Sequence, residues 1–231
     1  MLFLLSCLLS YEVDRDRATI DIEQTNAVRY VSYKKGFNSS VKINSIDNDL
    51  ISGHGSGNYF KIGREKFIMT AAHVISEAAV FFIEDAGEPV FLKPIYIDPF
   101  YDIALLIPHR NLIDVEAVDY RVNNKKDILG LTVNYTGHPS DFPKVMLSGT
   151  ISHSSVSYAI MHSFAVPGAS GSVVFDNSGR AIGVLSAVKI GFYGLSPFPN
   201  LEEDMVFLDR LLDFKRSKVK RILKLWRKSK N

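Results

Sequence analysis

Thr70-Ala71-Ala72-His73, Asp102-Ile103-Ala104-Leu105-Leu106 and Gly168-Ala169-Ser170-Gly171-Ser172 occur in this order along the chain, each inside strand-rich sequence. A serine, a histidine and an acid are the residue types that turn a weak hydroxyl into an acylating nucleophile. Each segment alone has a bland reading. Gly-x-Ser-Gly occurs in many loops, Asp-Ile-Ala-Leu-Leu fits any buried strand preceded by an acid, and a His after Thr-Ala-Ala could be a satisfied structural imidazole. Their order and surroundings carry more than their individual motifs.

Around the first two segments, short β-branched and aromatic runs at 27–33, 67–70, 79–83, 90–97 and 103–108 read as strands, with Gly, Asn, Asp and Pro at the turns. A second set lies at 128–136, 145–152, 158–166, 172–175 and 181–190, on either side of the third segment. Short strands at this spacing indicate a sandwich or barrel. Asp176-Asn177-Ser178-Gly179-Arg180 is a strong hairpin turn, and the polar stretch 115–126 is the natural linker between the sets. After Pro199 the apolar period changes. Leu201, Met205, Leu208, Leu212, Val219, Ile222 and Trp226 recur mostly at three- and four-residue steps, which predicts one long helix beginning at Asn200, with Glu203 in a capping-box position. The implied units are an apolar N-terminal segment over 1–26, a first strand unit over 27–118, a second over 119–199 and a basic amphipathic helix over 200–231.

The 231 residues are 46% hydrophobic and 23% charged, which excludes disorder of the whole. One cysteine, Cys7, cannot form an internal disulfide, so the core must supply the stability, and a reducing compartment is compatible with the chain. No run reaches the roughly 18 apolar residues of a membrane-spanning helix. Residues 1–9 resemble the apolar part of a secretory signal, and Leu4-Leu5-Ser6-Cys7 resembles a lipoprotein cleavage site, but a basic leader is missing. Export and cytoplasmic residence both stay open. The net charge of +2 hides an asymmetry: nine of the 27 basic residues, and no acid, lie in 214–231, leaving 18 basic against 25 acidic residues elsewhere. This basic end, with Trp226, is expected either to be the solvated face of a packed helix or to touch an anionic membrane or nucleic acid.

Wider segments give the pattern a family. Gly55-Ser56-Gly57 with Phe67-Ile68-Met69-Thr70-Ala71-Ala72-His73-Val74, then Asp102-Ile103-Ala104-Leu105-Leu106, Thr136-Gly137-His138-Pro139, Leu147-Ser148-Gly149-Thr150-Ile151-Ser152 and 167–175 with Ala181-Ile182-Gly183-Val184, resemble the chymotrypsin-like serine proteases. The likeness is to their disulfide-poor branch of Deg/HtrA-type proteases and bacterial glutamyl endopeptidases, over about residues 53–188.

The resemblance implies an all-β fold of two six-stranded antiparallel barrels, with the C-terminal helix appended. It implies a serine endopeptidase acting on polypeptides, with His73, Asp102 and Ser170 as catalytic residues and the N–H groups of Gly168 and Ser170 as oxyanion donors. An S1 pocket of Phe164, Ala165 and Val188 would favour small or medium apolar P1 side chains. Neither a metal nor an organic cofactor is implied, and His54, His109, His138, His153 and His162 show no metal-ligand spacing. Asp98 and Ser172 stand near the triad positions, Asp98 as a turn acid and Ser172 where the family carries a small residue. Several departures from the family matter. Ala169 replaces the usual Asp or Asn before the nucleophile, and Val173 a frequent Pro. No PDZ-like module follows, and residues 184–188 lack the His with which glutamyl endopeptidases meet an acidic P1. The rival reading is a non-catalytic binding or structural protein on the same fold.

Overall fold

The computed structural model describes residues 30–47, 52–76, 79–139, 144–165, 167–188 and 205–230. The apolar start at 1–9, the capping-box pair Asn200 and Glu203, and residue 166 lie outside them. Residues 30–39 form a helix, α1. Seven strands follow: β1 (Ser40–Ile46), β2 (Ser52–Ile62), β3 (Glu65–Thr70), β4 (Val80–Asp85), β5 (Glu88–Asp98), β6 (Ile103–Pro108) and β7 (Val118–Asp119). They are joined in the order β1-β4-β5-β6-β3-β2, the β1–β2 pairing closes a six-stranded antiparallel barrel, and β7 adds to β2 in parallel. A second closed barrel follows, of β8 (Thr132–Gly137), β9 (Val145–Ser154), β10 (Tyr158–His162), β11 (Val173–Asp176), β12 (Ala181–Val188) and β13 (Met205–Arg210), in the order β10-β13-β12-β11-β8-β9. A C-terminal helix, α2 (Arg216–Lys228), completes the described chain.

The uninterrupted apolar runs Phe67-Ile68-Met69 and Ile103-Ala104-Leu105-Leu106 reflect strands buried on both faces, where alternation with polar residues is not required. Ile68, Ala104 and Leu106 fill the first barrel. Phe67, Met69, Ile103 and Leu105 face a seam, where they meet Val173, Phe175 and Val184 of the second barrel and Phe214, Val219 and Leu223 of the C-terminal end. Phe60, at the centre of the seam, packs its ring 5.1 Å from Tyr120 and 6.0 Å from Phe175. The linker is therefore part of the core: Tyr120 is buried and its hydroxyl donates to the Phe214 carbonyl at 2.7 Å.

Two expected elements are corrected. Of the strand expected over 27–33, residues 30–33 are helical, and Tyr30 and Val31, whose types suggested a strand, are 65% exposed. The side of α1 turned to the body is Ser32, Gly36 and Ser39, a stripe of small residues at steps of four and three. Ser32 Oγ donates to the Asp176 carbonyl at 2.6 Å, and Asn58 Nδ2 donates to Ser39 Oγ at 2.9 Å, so α1 straps the two barrels.

The single long helix expected from Asn200 is, over its described part, a strand, a short 3-10 turn (Leu211–Asp213) and then α2. Within β13, Val206, Leu208 and Arg210 are buried and alternate with more exposed neighbours, which is a period of two. Met205, Leu208 and Leu212 also satisfy a three-to-four step. The tertiary fold decides, because β13 supplies hydrogen-bonded edges to both β10 and β12 and closes the barrel.

Candidate active site

His73 sits on a four-residue 3-10 turn, Ala72–Ile75, at the end of β3, and Asp102 immediately precedes β6. The β3–β6 pairing, Thr70 opposite Ala104, brings these two strand ends together. Three contacts then lock the acid to the imidazole. The Ala72 N–H donates to the Asp102 carbonyl at 3.0 Å, the His73 N–H donates to Asp102 Oδ1 at 2.8 Å, and His73 Nδ1 lies 2.7 Å from Asp102 Oδ2. Asp102 adopts φ +44°, a left-handed conformation that Asp tolerates better than most residues and that is held here by these three contacts. The hydrogen bond that His73 Nδ1–H donates to Asp102 raises the His73 pKa above its ordinary value of 6.5, against an opposing effect of burial and with smaller help from the Asp102 and Asp209 charges. Nδ1 is thus engaged by the carboxylate, which leaves Nε2 as the ring nitrogen available for proton transfer.

Ser170 comes from the second barrel, in the loop before β11, and the first barrel grips that loop. The Ser56 N–H donates to the Ser170 carbonyl at 2.7 Å, Ser56 Oγ donates to the Gly168 carbonyl at 2.7 Å, and the Ser56 carbonyl accepts from Thr70 Oγ1 at 2.7 Å. Ser56 Oγ also accepts the His138 N–H at 2.8 Å. Every polar group of this buried serine is used, two of them on the carbonyls that bracket Gly168-Ala169-Ser170. Ala169 itself points into the second barrel's core, 1% exposed, so its side chain cannot fasten the loop by hydrogen bonding. Only the sequence Gly55-Ser56-Gly57 hinted at Ser56; the role follows from contacts across the seam.

Close approach explains the neighbouring glycines. A Cβ on Gly171, which has φ +88°, would fall 2.2 Å from both the Ser56 carbonyl oxygen and Thr70 Oγ1. A Cβ on Gly55 would fall 2.6 Å from Val74, the residue after His73, and 3.2 Å from the Ser170 carbonyl oxygen, so the serine and histidine neighbourhoods meet there. Gly171→Ala is expected to lower stability by at least ~2 kcal/mol, through both strain and clash, which a urea unfolding curve checks.

His138, at the edge of the same network, is pushed down to about 4, chiefly by burial and further by Lys144, Lys42 and His54. The unfolded chain takes up a proton near the ordinary value of 6.5 while the folded one does not. Stability is therefore full above about 6.5 and falls as pH drops toward 4. His138→Gln is expected to flatten the fall in melting temperature between about pH 7 and 5; an unchanged slope would contradict this.

A second carboxylate lies within electrostatic reach of His73, unannounced by the sequence. Asp209 lies on β13 opposite Val184 of β12, in the stretch whose periodicity suggested a helix. Burial pushes its carboxyl up, a Ser186 hydrogen bond and His73 oppose this, and Asp102 reinforces it. Asp98 closes a turn, accepting from Tyr96 Oη at 2.9 Å and from the Tyr101 N–H at 3.2 Å. Ser172 is buried at the seam, its Oγ facing Gly137 and without a partner among the described residues.

A model of the trypsin-like peptidase domain matches residues 55–184, from the strand that grips the nucleophile loop to the hairpin that follows it. The chain belongs to the trypsin-like peptidase family. No curated protein matches it significantly. Among solved structures, a serine endoprotease from Yersinia pestis is similar, with TM-score 0.64 and 18% identity over 84% of this chain and 65% of that one. An M. tuberculosis protease in its active form gives 0.63 and 16%, over 84% of this chain and 82% of that one. The HtrA-type protease AlgW with a tripeptide gives 0.63 and 18%, over 83% and 62%. The chain thus spans less than two thirds of the Yersinia pestis and AlgW chains, and at these identities the likeness is one of fold. The peptidase domain's S1 candidates are placed as follows. Ala165 is buried, and Phe164 is 47% exposed with its carbonyl accepting from Tyr135 Oη at 2.5 Å. Val188 pairs with Val206 at the end of β12.

Proposed function

We propose that this chain is a serine endopeptidase working through an acyl-enzyme on Ser170. The observation that carries the reading is the two-point grip of Asp102 on His73, 2.8 and 2.7 Å, at the end of the seam where Ser56 holds the Ser170 loop. His73 Nε2 takes the Ser170 proton as Oγ bonds to the peptide carbonyl carbon, then gives it to the amine as the C–N bond breaks. Water then enters by the same route in reverse and releases the acid. Asp102 keeps Nδ1 protonated and stabilises the imidazolium without itself taking the proton. The N–H groups of Gly168 and Ser170 bind the oxyanion, and one such donor contributes about 3 kcal/mol to the transition state. With the Gly168 and Ser170 carbonyls tied to Ser56, the loop does not have to reorganise as charge develops.

In this reading S1 is assigned to Phe164, Ala165 and Val188. None carries a charge, so a desolvated Lys, Arg, Asp or Glu at P1 would find no counter-ion among these three. Small or medium apolar P1 residues are expected to dominate a cleavage-site profile from a peptide library, with Ser170→Ala as the inactive control. A profile dominated by basic or acidic P1 residues would overturn this specificity while leaving the peptidase reading intact.

A further inference from the structure

Val90 and Leu92 of β5 and Leu106 of β6 fill the first barrel, so Phe91, Lys93 and Ile107 point away from it. Lys93 lies opposite Ile107, and His109 follows at the end of β6 with its N–H donating to the Phe91 carbonyl at 3.0 Å. The C-terminal end of α2 lies over this outer face. Val219 and Leu223 fasten the helix to the seam core, and Trp226, three residues beyond Leu223, continues the same side, with Lys230 in the turn after it. There the packing gives way to a groove of about 310 Å³. Its walls include the basic side chains Lys93, His109 and Lys230 and no acidic one. Neither lysine has an acidic partner among the described residues. Aromatic surface accompanies them: the Phe91 ring is 52% exposed and lies 6.2 Å from the His109 ring, and Lys230 Nζ stands 4.4 Å from the centre of the Trp226 ring. Trp226 Nε1 is buried and has no acceptor among the described residues. An indole N–H can only donate, and nearly all buried donors find a partner, so this one calls for an acceptor atom.

We propose that this groove binds a small aromatic carboxylate, its ring against Phe91 and Trp226 and its carboxylate toward Lys93, Lys230 and the Trp226 N–H. Apolar and aromatic walls with a few polar groups are what a small-molecule site requires, and the volume is at the lower end of the usual range, enough for a single ring with a short acidic arm. Basic walls without an acid select an anion. No arginine lines the groove, so the forked, two-point contact that favours a phosphate is absent, whereas an ammonium meets a carboxylate as a point charge. The groove shares no residue with the Ser170 centre and does not rest on the peptidase reading.

The test uses the emission of Trp226, the single tryptophan of the chain, during titration of the full-length protein with hydrocinnamate. A saturable change is expected, with a dissociation constant between roughly 10 μM and 1 mM for a ligand of about 11 non-hydrogen atoms. The neutral amide of the same acid should bind about fivefold or more weakly. Lys93→Gln and Lys230→Gln should each weaken binding of the acid by about two- to fivefold and leave the amide unaffected. Phe91→Ala should weaken both by about tenfold. All three side chains are exposed, so folding is preserved, which circular dichroism verifies. An acetylated tripeptide ending in Phe carries the same carboxylate on a polypeptide, and an affinity no better than that of hydrocinnamate is expected. No saturable change up to about 10 mM, equal affinity for acid and amide, affinity indifferent to these substitutions, or tighter binding of the tripeptide would each overturn the proposal.

Discussion

Ser170→Ala is expected to lower kcat on a cleavable peptide by about 10⁶ while leaving the fold and its melting temperature in place. The separation follows from which atoms of Ser170 do what. Its carbonyl is held by the Ser56 N–H at 2.7 Å and belongs to the contact between barrels, whereas Oγ is the nucleophile of the proposed mechanism. Removing Oγ deletes the covalent route and spares the seam. His73→Ala should cost a similar factor, and the double substitution little more, because a nucleophile without its base and a base without its nucleophile are equally idle. The rate that remains, about 10³ to 10⁴ over water, would come from the oxyanion donors and substrate binding. A loss for Ser170→Ala of only about tenfold would place the chemistry elsewhere.

The second large effect is at Asp102. Asp102→Asn is expected to lower kcat by about 10⁴, since an amide can donate to Nδ1 and leave the wrong nitrogen protonated. The pH dependence provides an independent check with a definite sign. Asp102 raises the His73 pKa above 6.5 through its hydrogen bond, and only neutral His73 can act as a base. Activity therefore climbs as pH rises through that raised value, and the acid limb of kcat/KM for the wild-type chain should be centred above 6.5. In Asp102→Asn the limb should move to lower pH. The same bond favours the protonated ring in the folded state, so its contribution to stability is full below the unfolded value near 6.5 and is lost as pH climbs past the folded one. An acid limb that stays in place in Asp102→Asn would mean that His73 is not the titrating base.

The candidate site was legible in the chain as motifs because its proposed residues sit at or near strand ends whose local sequence is constrained by packing. β6, expected at 103–108, runs Ile103–Pro108, since Ile-Ala-Leu-Leu buried on both faces has no helical alternative over so short a run. What was hidden depends on contacts between segments far apart in sequence. α1 buries Ser32, Gly36 and Ser39, and small residues give no hydropathy signal. β13 carries Met205, Leu208 and Asp209 at spacings a helix also satisfies, and only its two strand partners break the tie. Misreading it as a helix concealed Asp209 from the neighbourhood of His73. Ser56 is a short residue between glycines in the sequence, and three of its four hydrogen-bonding contacts, those with Gly168, Ser170 and His138, exist only once two barrels meet, the fourth coming from Thr70 of its own barrel.

The most direct test of the account is reaction of the purified full-length chain with a fluorophosphonate, followed by mapping of the adduct by mass spectrometry. A phosphonyl group on Ser170, absent from Ser170→Ala and strongly slowed in His73→Ala, is the result predicted. A folded chain that stays unmodified, or that is labelled at another serine with Ser170 free, would contradict the claim that His73 and Asp102 activate Ser170 across the barrel seam.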